Sequence, residues 1–237
     1  MESNYTIKIA IDGPAGAGKT TISKKIAEHF NYRYIDSGAQ FRAMALKCLQ
    51  NGISPLDKVE VPKILENTKI EIEYSDDGKQ IVYLDGEDVS EKIRTVEIGS
   101  AASDVGTIPE VRKYLLEVQR ELAKKHNVVM DGRDIGTVIL PHADIKIFLT
   151  ASTEDRATRR HKELLSKGQF VTFEEVKKDL RYRDRNDASR EIAPLKVASD
   201  AIIVDTTDIG LEQSIAVLKE IVGDRIYEIT RSYQEHS

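Results

Sequence analysis

Gly13-Pro14-Ala15-Gly16-Ala17-Gly18-Lys19-Thr20 fits the spacing G-x-x-x-x-G-K-[ST], a pattern whose chemistry is the grip of a polyphosphate. Residues with little or no Cβ let successive backbone N–H groups turn inward around the anion. Lys19 adds a cation, and Thr20 offers a hydroxyl to Mg²⁺. The apolar run Ile7 to Asp12 enters the loop as a strand, and the helix leaving from Gly18 points its positive end at the same anion. The candidate triphosphate-binding set is therefore Gly13, Pro14, Ala15, Gly16, Ala17, Gly18, Lys19, Thr20 and Thr21, with Thr20 the candidate metal ligand.

Further charged and hydroxyl side chains fall where other strands should end: Asp36 and Ser37, then Asp131, Arg133 and Asp134. Ligands of an open parallel α/β sheet bind beyond the carboxyl ends of its strands, so these residues share one rim with the loop. Arg42, one turn into the next helix, can face the same crevice. Arg181, Arg183, Arg185 and Arg190, interleaved with Asp184 and Asp187, form a second group. On charge pattern alone that group is either a solvated helix face laced with ion pairs or an anion-binding lid. The loop favours the lid. Two phosphorylated ligands meeting head to head need positive charge, in-line positioning and exclusion of water more than covalent help. A phosphate acceptor also needs no strong base, since its oxygen is largely ionised near neutral pH (second pKa ~6).

The elements that must position these groups are readable from periodicity. Ile22, Ile26 and Phe30 recur on one helical face that packs back on the first strand. Tyr32 to Ile35 is a short strand, and Phe41, Met44, Ala45 and Cys48 mark the helix after it, so strand and helix alternate as in a parallel sheet. Val128 to Asp131 and Ile145 to Leu149 are apolar strands, and Ala201 to Asp205 is the last. Helices are expected at Glu110 to Lys125, with Arg112 off its apolar stripe, after Ser152 as a cap, after the Thr172/Glu175 capping box, and at Leu211 to Val222. The tail beyond Gly223 receives no assignment. Between Asn51 and Thr95 the texture changes. Gly52, Pro55 and Pro62 interrupt helical pattern, and Ile70 to Tyr74, Ile81 to Leu84 and a return at Val89 read as a small antiparallel insertion.

The 237 residues suit one domain, 1–237, with an insertion lobe at about 52–96 and a lid region at about 152–190. The net charge of −5 gives no global field to attract nucleic acid or an anionic membrane. A single cysteine, Cys48, excludes an internal disulfide and reads as a packed core thiol in a reducing compartment. The N-terminus lacks a signal layout and no apolar run approaches a membrane span, so the expectation is a cytoplasmic protein. No exposed apolar stripe is evident, and a monomer is expected. A GTPase would require N-K-x-D and D-x-x-G strings, and neither occurs. A regulatory ATPase and kinases of UMP, shikimate or sugars share the loop and remain open at this level.

Ile11 to Lys19, then Asp36-Ser37-Gly38-Ala39 with Arg42, then Asp131-Gly132-Arg133-Asp134-Ile135-Gly136-Thr137, then Ile192-Ala193-Pro194-Leu195 resemble the bacterial cytidylate kinase family. The likeness runs in order from about Ile7 to Val222 and includes the insertion. It implies a P-loop nucleoside monophosphate kinase fold: an α/β parallel core, a β-containing monophosphate-binding insertion and a short arginine-rich lid. It also implies transfer of the γ-phosphoryl of ATP to CMP or dCMP, with Mg²⁺. By the same resemblance Ser37, Arg42, Arg133 and Arg190 hold the acceptor phosphate. Ser103, Arg112 and Asp134 read the cytosine edge, and Arg183 and Asp187 reach the sugar and the transferring group. Lys19, Arg133, Arg183 and Arg190 are the implied catalytic cations. A carboxylate at Asp134 accepts from the cytosine N4 amine, where uracil presents an oxygen. The plainer alternative is a local Asp134–Arg133 ion pair. Gln40-Phe41 departs from the pattern, standing where a tyrosine is expected before the arginine.

Overall fold

A computed structural model of the protein describes residues 5–235. The ends of the expected 1–237 domain, residues 1–4 and 236–237, lie outside the described residues. Five strands, β1 (Lys8–Asp12), β2 (Arg33–Asp36), β6 (Val128–Gly132), β7 (Ile145–Thr150) and β8 (Ile202–Asp205), form one sheet in the order β2-β6-β1-β7-β8. Every pairing is parallel. β1 lies between β6 and β7, and α1 (Lys19–Phe30) leaves from its end, so the loop opens at the point where strand order reverses.

Alternation along β1 divides the core. Ile9 and Ile11 face one side with Ile22 and Ile26 of α1 and with Ile215, Leu218 and Val222 of α8 (Leu211–Glu235). Ala10 faces the other, with Val128, Met130 and Ala123, the last from α5 (Pro109–Lys124). Helix α8 continues well past Val222, the end expected from the sequence. Gly223 does not end it, and Ile226 and Ile229 add to the same core.

The insertion is a three-stranded antiparallel sheet, β3 (Ile70–Tyr74), β4 (Gln80–Leu84) and β5 (Glu87–Asp88). Its inner residues Ile70, Val82 and Leu84 pack with α2 (Ser37–Gln50), α5 and two helices not expected from sequence, α3 (Glu60–Leu65) and α4 (Val96–Val105). Pro62 does not break helical structure here. It occupies the first turn of α3, where its missing N–H has no intrahelical partner to lose. The lobe is fastened to the core: Asp36 N donates to Gln80 Oε1 at 2.8 Å and Tyr74 Oη to Tyr34 O at 3.1 Å. Cys48 is buried in the same cluster, as expected.

Residues 152–190 contain α6 (Thr153–Ser166) and α7 (Phe173–Ala188). Ser152 caps α6 and Thr172 with Glu175 forms a complete capping box for α7, both as read from sequence. No helix among the described residues is long and apolar enough to cross a membrane.

Candidate active site

The loop is built by close approach. A Cβ on Gly13 would lie 2.0 Å from Leu149 O, so only glycine lets the chain turn against β7. Lys19 is buried and donates from Nζ to Gly13 O and Pro14 O, both at 2.7 Å. Burial, followed by the nearby Arg133, pushes the Lys19 ammonium well below its ordinary pKa. Thr21 points to solvent on α1. Thr20 Oγ1 donates to Asp131 Oδ2 at 3.2 Å, and Tyr34 Oη holds the other Asp131 oxygen at 2.6 Å. Burial and the neighbouring Asp36 raise the Asp131 carboxyl.

Asp12, the last residue of β1, accepts from Ile135 N at 2.8 Å and Gly136 N at 2.7 Å. Those amides belong to a π-helical turn, Ile135–Ile139, which follows Asp134. Burial raises Asp12 to about 6 despite the two amides. These two bonds tie the loop strand to the segment that follows Asp134, holding the loop and the end of β6 in one frame.

Across β6 the second set assembles. Asp36 caps α2, and Ser37 Oγ donates to Asp131 O at 2.7 Å. Arg42 Nη2 and Arg94 Nη1 both bond Asp36 Oδ2, at 2.6 and 3.0 Å. Burial would raise the Asp36 carboxyl, but the two guanidiniums hold it below its ordinary value. Asp187 accepts from Ser103 Oγ at 2.7 Å, from Arg133 Nε at 2.7 Å and from Arg190. Arg183 lies beside Asp179 at 3.7 Å, and burial lowers its pKa. Arg112 donates to Gly106 O at 3.2 Å and pairs with Asp134, both side chains buried, and its guanidinium lies 5.3 Å from the Phe41 ring.

The structure thus brings Lys19, Thr20, Ser37, Arg42, Ser103, Arg112, Arg133, Asp134, Arg183, Asp187 and Arg190 onto the carboxyl side of the sheet or the helices that flank it. Asp134 does not pair with Arg133: its partner is Arg112, while Arg133 turns to Asp187. The arginine group divides. Arg181 and Arg185 are exposed, as a solvated face would have them, whereas Arg183 and Arg190 turn inward. Arg94, which joins Arg42 on Asp36, is a lone arginine behind the insertion and carries no spacing signal in the sequence. Asp36 and Asp131, which the sequence places on the rim without a role, hold the Arg42/Arg94 pair and the Thr20 and Tyr34 hydroxyls. The buried Nε groups of Arg42, Arg183 and Arg190 have no protein acceptor. Buried donors demand partners, so a set of orphaned guanidinium N–H groups fits a polyanionic ligand.

Among the described residues no cluster of at least three His, Cys, Asp and Glu side chains is arranged to hold a metal ion. Thr20 and Asp131 do present hard oxygens beside the loop, the donor set that suits Mg²⁺, which relies on few protein ligands plus substrate phosphates.

The cytidylate kinase family profile matches residues 9–223. The cytidylate kinase of Caldicellulosiruptor bescii is 52% identical over 91% of this chain and 95% of its own. That of Carboxydothermus hydrogenoformans is 49% identical over 92% of this chain and 97% of its own. An uncharacterized protein from Eubacterium ventriosum shares the fold, with a TM-score of 0.52 at 13% identity, over 92% of this chain and 99% of that one. The chain belongs to the cytidylate kinase family.

Proposed function

We propose that the protein transfers the γ-phosphoryl group of ATP to CMP or dCMP, yielding ADP and CDP or dCDP. The observation that carries this reading is the buried Arg112–Asp134 pair, together with Arg42, Arg183 and Arg190, whose buried Nε groups have no protein acceptor. The arginines supply sites for phosphate and sugar oxygens, while Asp134 offers an acceptor for the cytosine amine.

In this reading an acceptor phosphate oxygen attacks the γ-phosphorus and the bond to the β-phosphate oxygen breaks, so no proton acceptor of high basicity is needed. Gly13 to Thr21 receive the triphosphate. Ser37, Arg42, Arg133 and Arg190 orient the acceptor phosphate, Ser103, Arg112 and Asp134 the base, and Arg183 and Asp187 the sugar. Lys19, Arg133, Arg183 and Arg190 neutralise charge on the transferring group. Thr20 and Asp131 would hold Mg²⁺, which supplies charge neutralisation on the phosphates. The insertion at about 52–96 and the lid at about 152–190 exclude water as they close. We further read the protein as a cytoplasmic monomer that binds neither nucleic acid nor membrane.

The test is ATP consumption measured against CMP, dCMP, UMP, AMP, GMP, shikimate and gluconate. Turnover with CMP and dCMP well above the rest is expected. Turnover only with shikimate or gluconate would overturn the acceptor assignment, and hydrolysis without any acceptor would favour an ATPase.

A further inference from the structure

One carboxylate tied to the phosphate loop has no part in the roles above. Asp184 Oδ1 accepts from the Ala15 backbone N–H at 3.0 Å, and Oδ2 accepts from Arg156 Nη1 at 2.6 Å. Arg156, on the first turn of α6, donates also to Ala15 O at 2.8 Å, Ala151 O at 3.0 Å and Thr153 Oγ1 at 3.0 Å. Ala15 is thus gripped at its N–H by α7 and at its C=O by α6. Packing repeats the contact. A Cβ on Gly16, whose φ is +74°, would lie 3.3 Å from both Arg156 Cβ and Leu180 Cδ1, so the two helices press directly on the loop.

Three residues further along α7, Asp187 binds Ser103, Arg133 and Arg190. A single turn of one helix therefore holds the loop through Asp184 and the acceptor crevice through Asp187. An amide N–H carries one proton. A phosphate oxygen approaching Ala15 competes with the Asp184 carboxylate for it, and the two anions repel each other. Arg156 faces the same choice between anions.

We propose that Asp184 is a positioning residue that couples the two nucleotide subsites: a change in its grip on the loop is passed along α7 to Arg133 and Arg190. This rests on the reading that the loop takes a triphosphate and the crevice a monophosphate. Coupling of this kind is reciprocal, and each ligand alters the other's affinity by the same factor.

Calorimetry with CMP and a non-hydrolysable ATP analogue on the native protein, Asp184→Ala and Asp184→Asn tests this. In the native protein, saturating analogue should change the Kd of CMP by at least about fivefold. In the variants that factor should fall below about twofold, with melting temperatures within a few degrees of native. If Asp184→Ala does not fold, Asp184→Asn, of the same shape, carries the test. A native factor near one, or variants that keep the native factor, would overturn the proposal. Failure of the native protein to bind CMP at all would instead sink the functional reading, and the coupling with it.

Discussion

Arg133 Nε donates to Asp187 Oδ2 at 2.7 Å, joining the end of β6 to the last turn of α7. The same carboxylate holds Arg190 and Ser103, so it fixes the spacing of two cations assigned to the acceptor phosphate. Removing one partner of a buried ion cluster leaves the others uncompensated. Asp187→Ala should therefore lower kcat/KM for CMP by about a hundredfold, roughly 2.7 kcal/mol. Steady-state kinetics with each substrate varied would check it, and a loss confined to the ATP term would contradict the assignment.

Asp187 also makes a pH prediction. Burial alone would raise its carboxyl, but Arg133 and Arg190 outweigh burial and hold it at about 2. A folded-state value below the ordinary 3.8 means that its stabilisation is complete above about pH 4 and disappears as pH falls through about 2. The size is about 2 kcal/mol. Asp12, raised to about 6, works oppositely and costs stability as pH rises from about 4 to 6. Urea unfolding of native protein and Asp187→Asn between pH 2.5 and 5 should show a stability gap that widens up to about pH 4 and then levels. A gap of constant size would refute the assignment.

Asp134→Ala should cost about 1–3 kcal/mol of preference for CMP over UMP. The measured quantity is the ratio of their kcat/KM values. A ratio that stays at its native value would show that Asp134 does not read the base and serves only to pair Arg112.

Gln40 is fully buried, and neither end of its amide has a protein partner. Burying polar groups without bonds costs about 1–3 kcal/mol, and leucine has a similar volume without that cost. Gln40→Leu should therefore raise the unfolding free energy by about 1 kcal/mol or more, measured by urea titration. A destabilised variant would mean that water satisfies the amide.

Lys19→Ala should abolish turnover and leave the fold intact, because the ammonium bonds only carbonyls of its own loop. Circular dichroism and melting would confirm folding. Residual kcat within about tenfold of native would remove Lys19 from the mechanism.

What was legible in the sequence was local. The Ile22, Ile26 and Phe30 stripe, the Thr172/Glu175 box and the apolar strands each announce themselves within a dozen residues, and all stand as read. Helix α4 did not, since its Gly99, Ser100 and Ala101 blur any stripe, nor did α8 past Gly223, which is accommodated against Phe30. Candidate site residues could be named from the sequence, but their bonding could not. Arg112 with Asp134, Arg94 with Asp36 and Asp184 with Ala15 join distant segments, and only the folded topology decides such pairings.

The core that backs the phosphate loop draws Ile9 and Ile11 from one end of the described chain and Leu218 and Val222 from the other. That geometry sets a schedule for synthesis. The loop strand leaves the ribosome well before α8, the helix that covers its apolar side, so the emerging chain must keep Ile9 and Ile11 shielded by other means until α8 follows. Contacts of such long sequence separation also close slowly once the chain is free. Nucleotide-binding competence should therefore arrive late and abruptly on a translating ribosome, after α8 has docked, rather than growing in step with the chain.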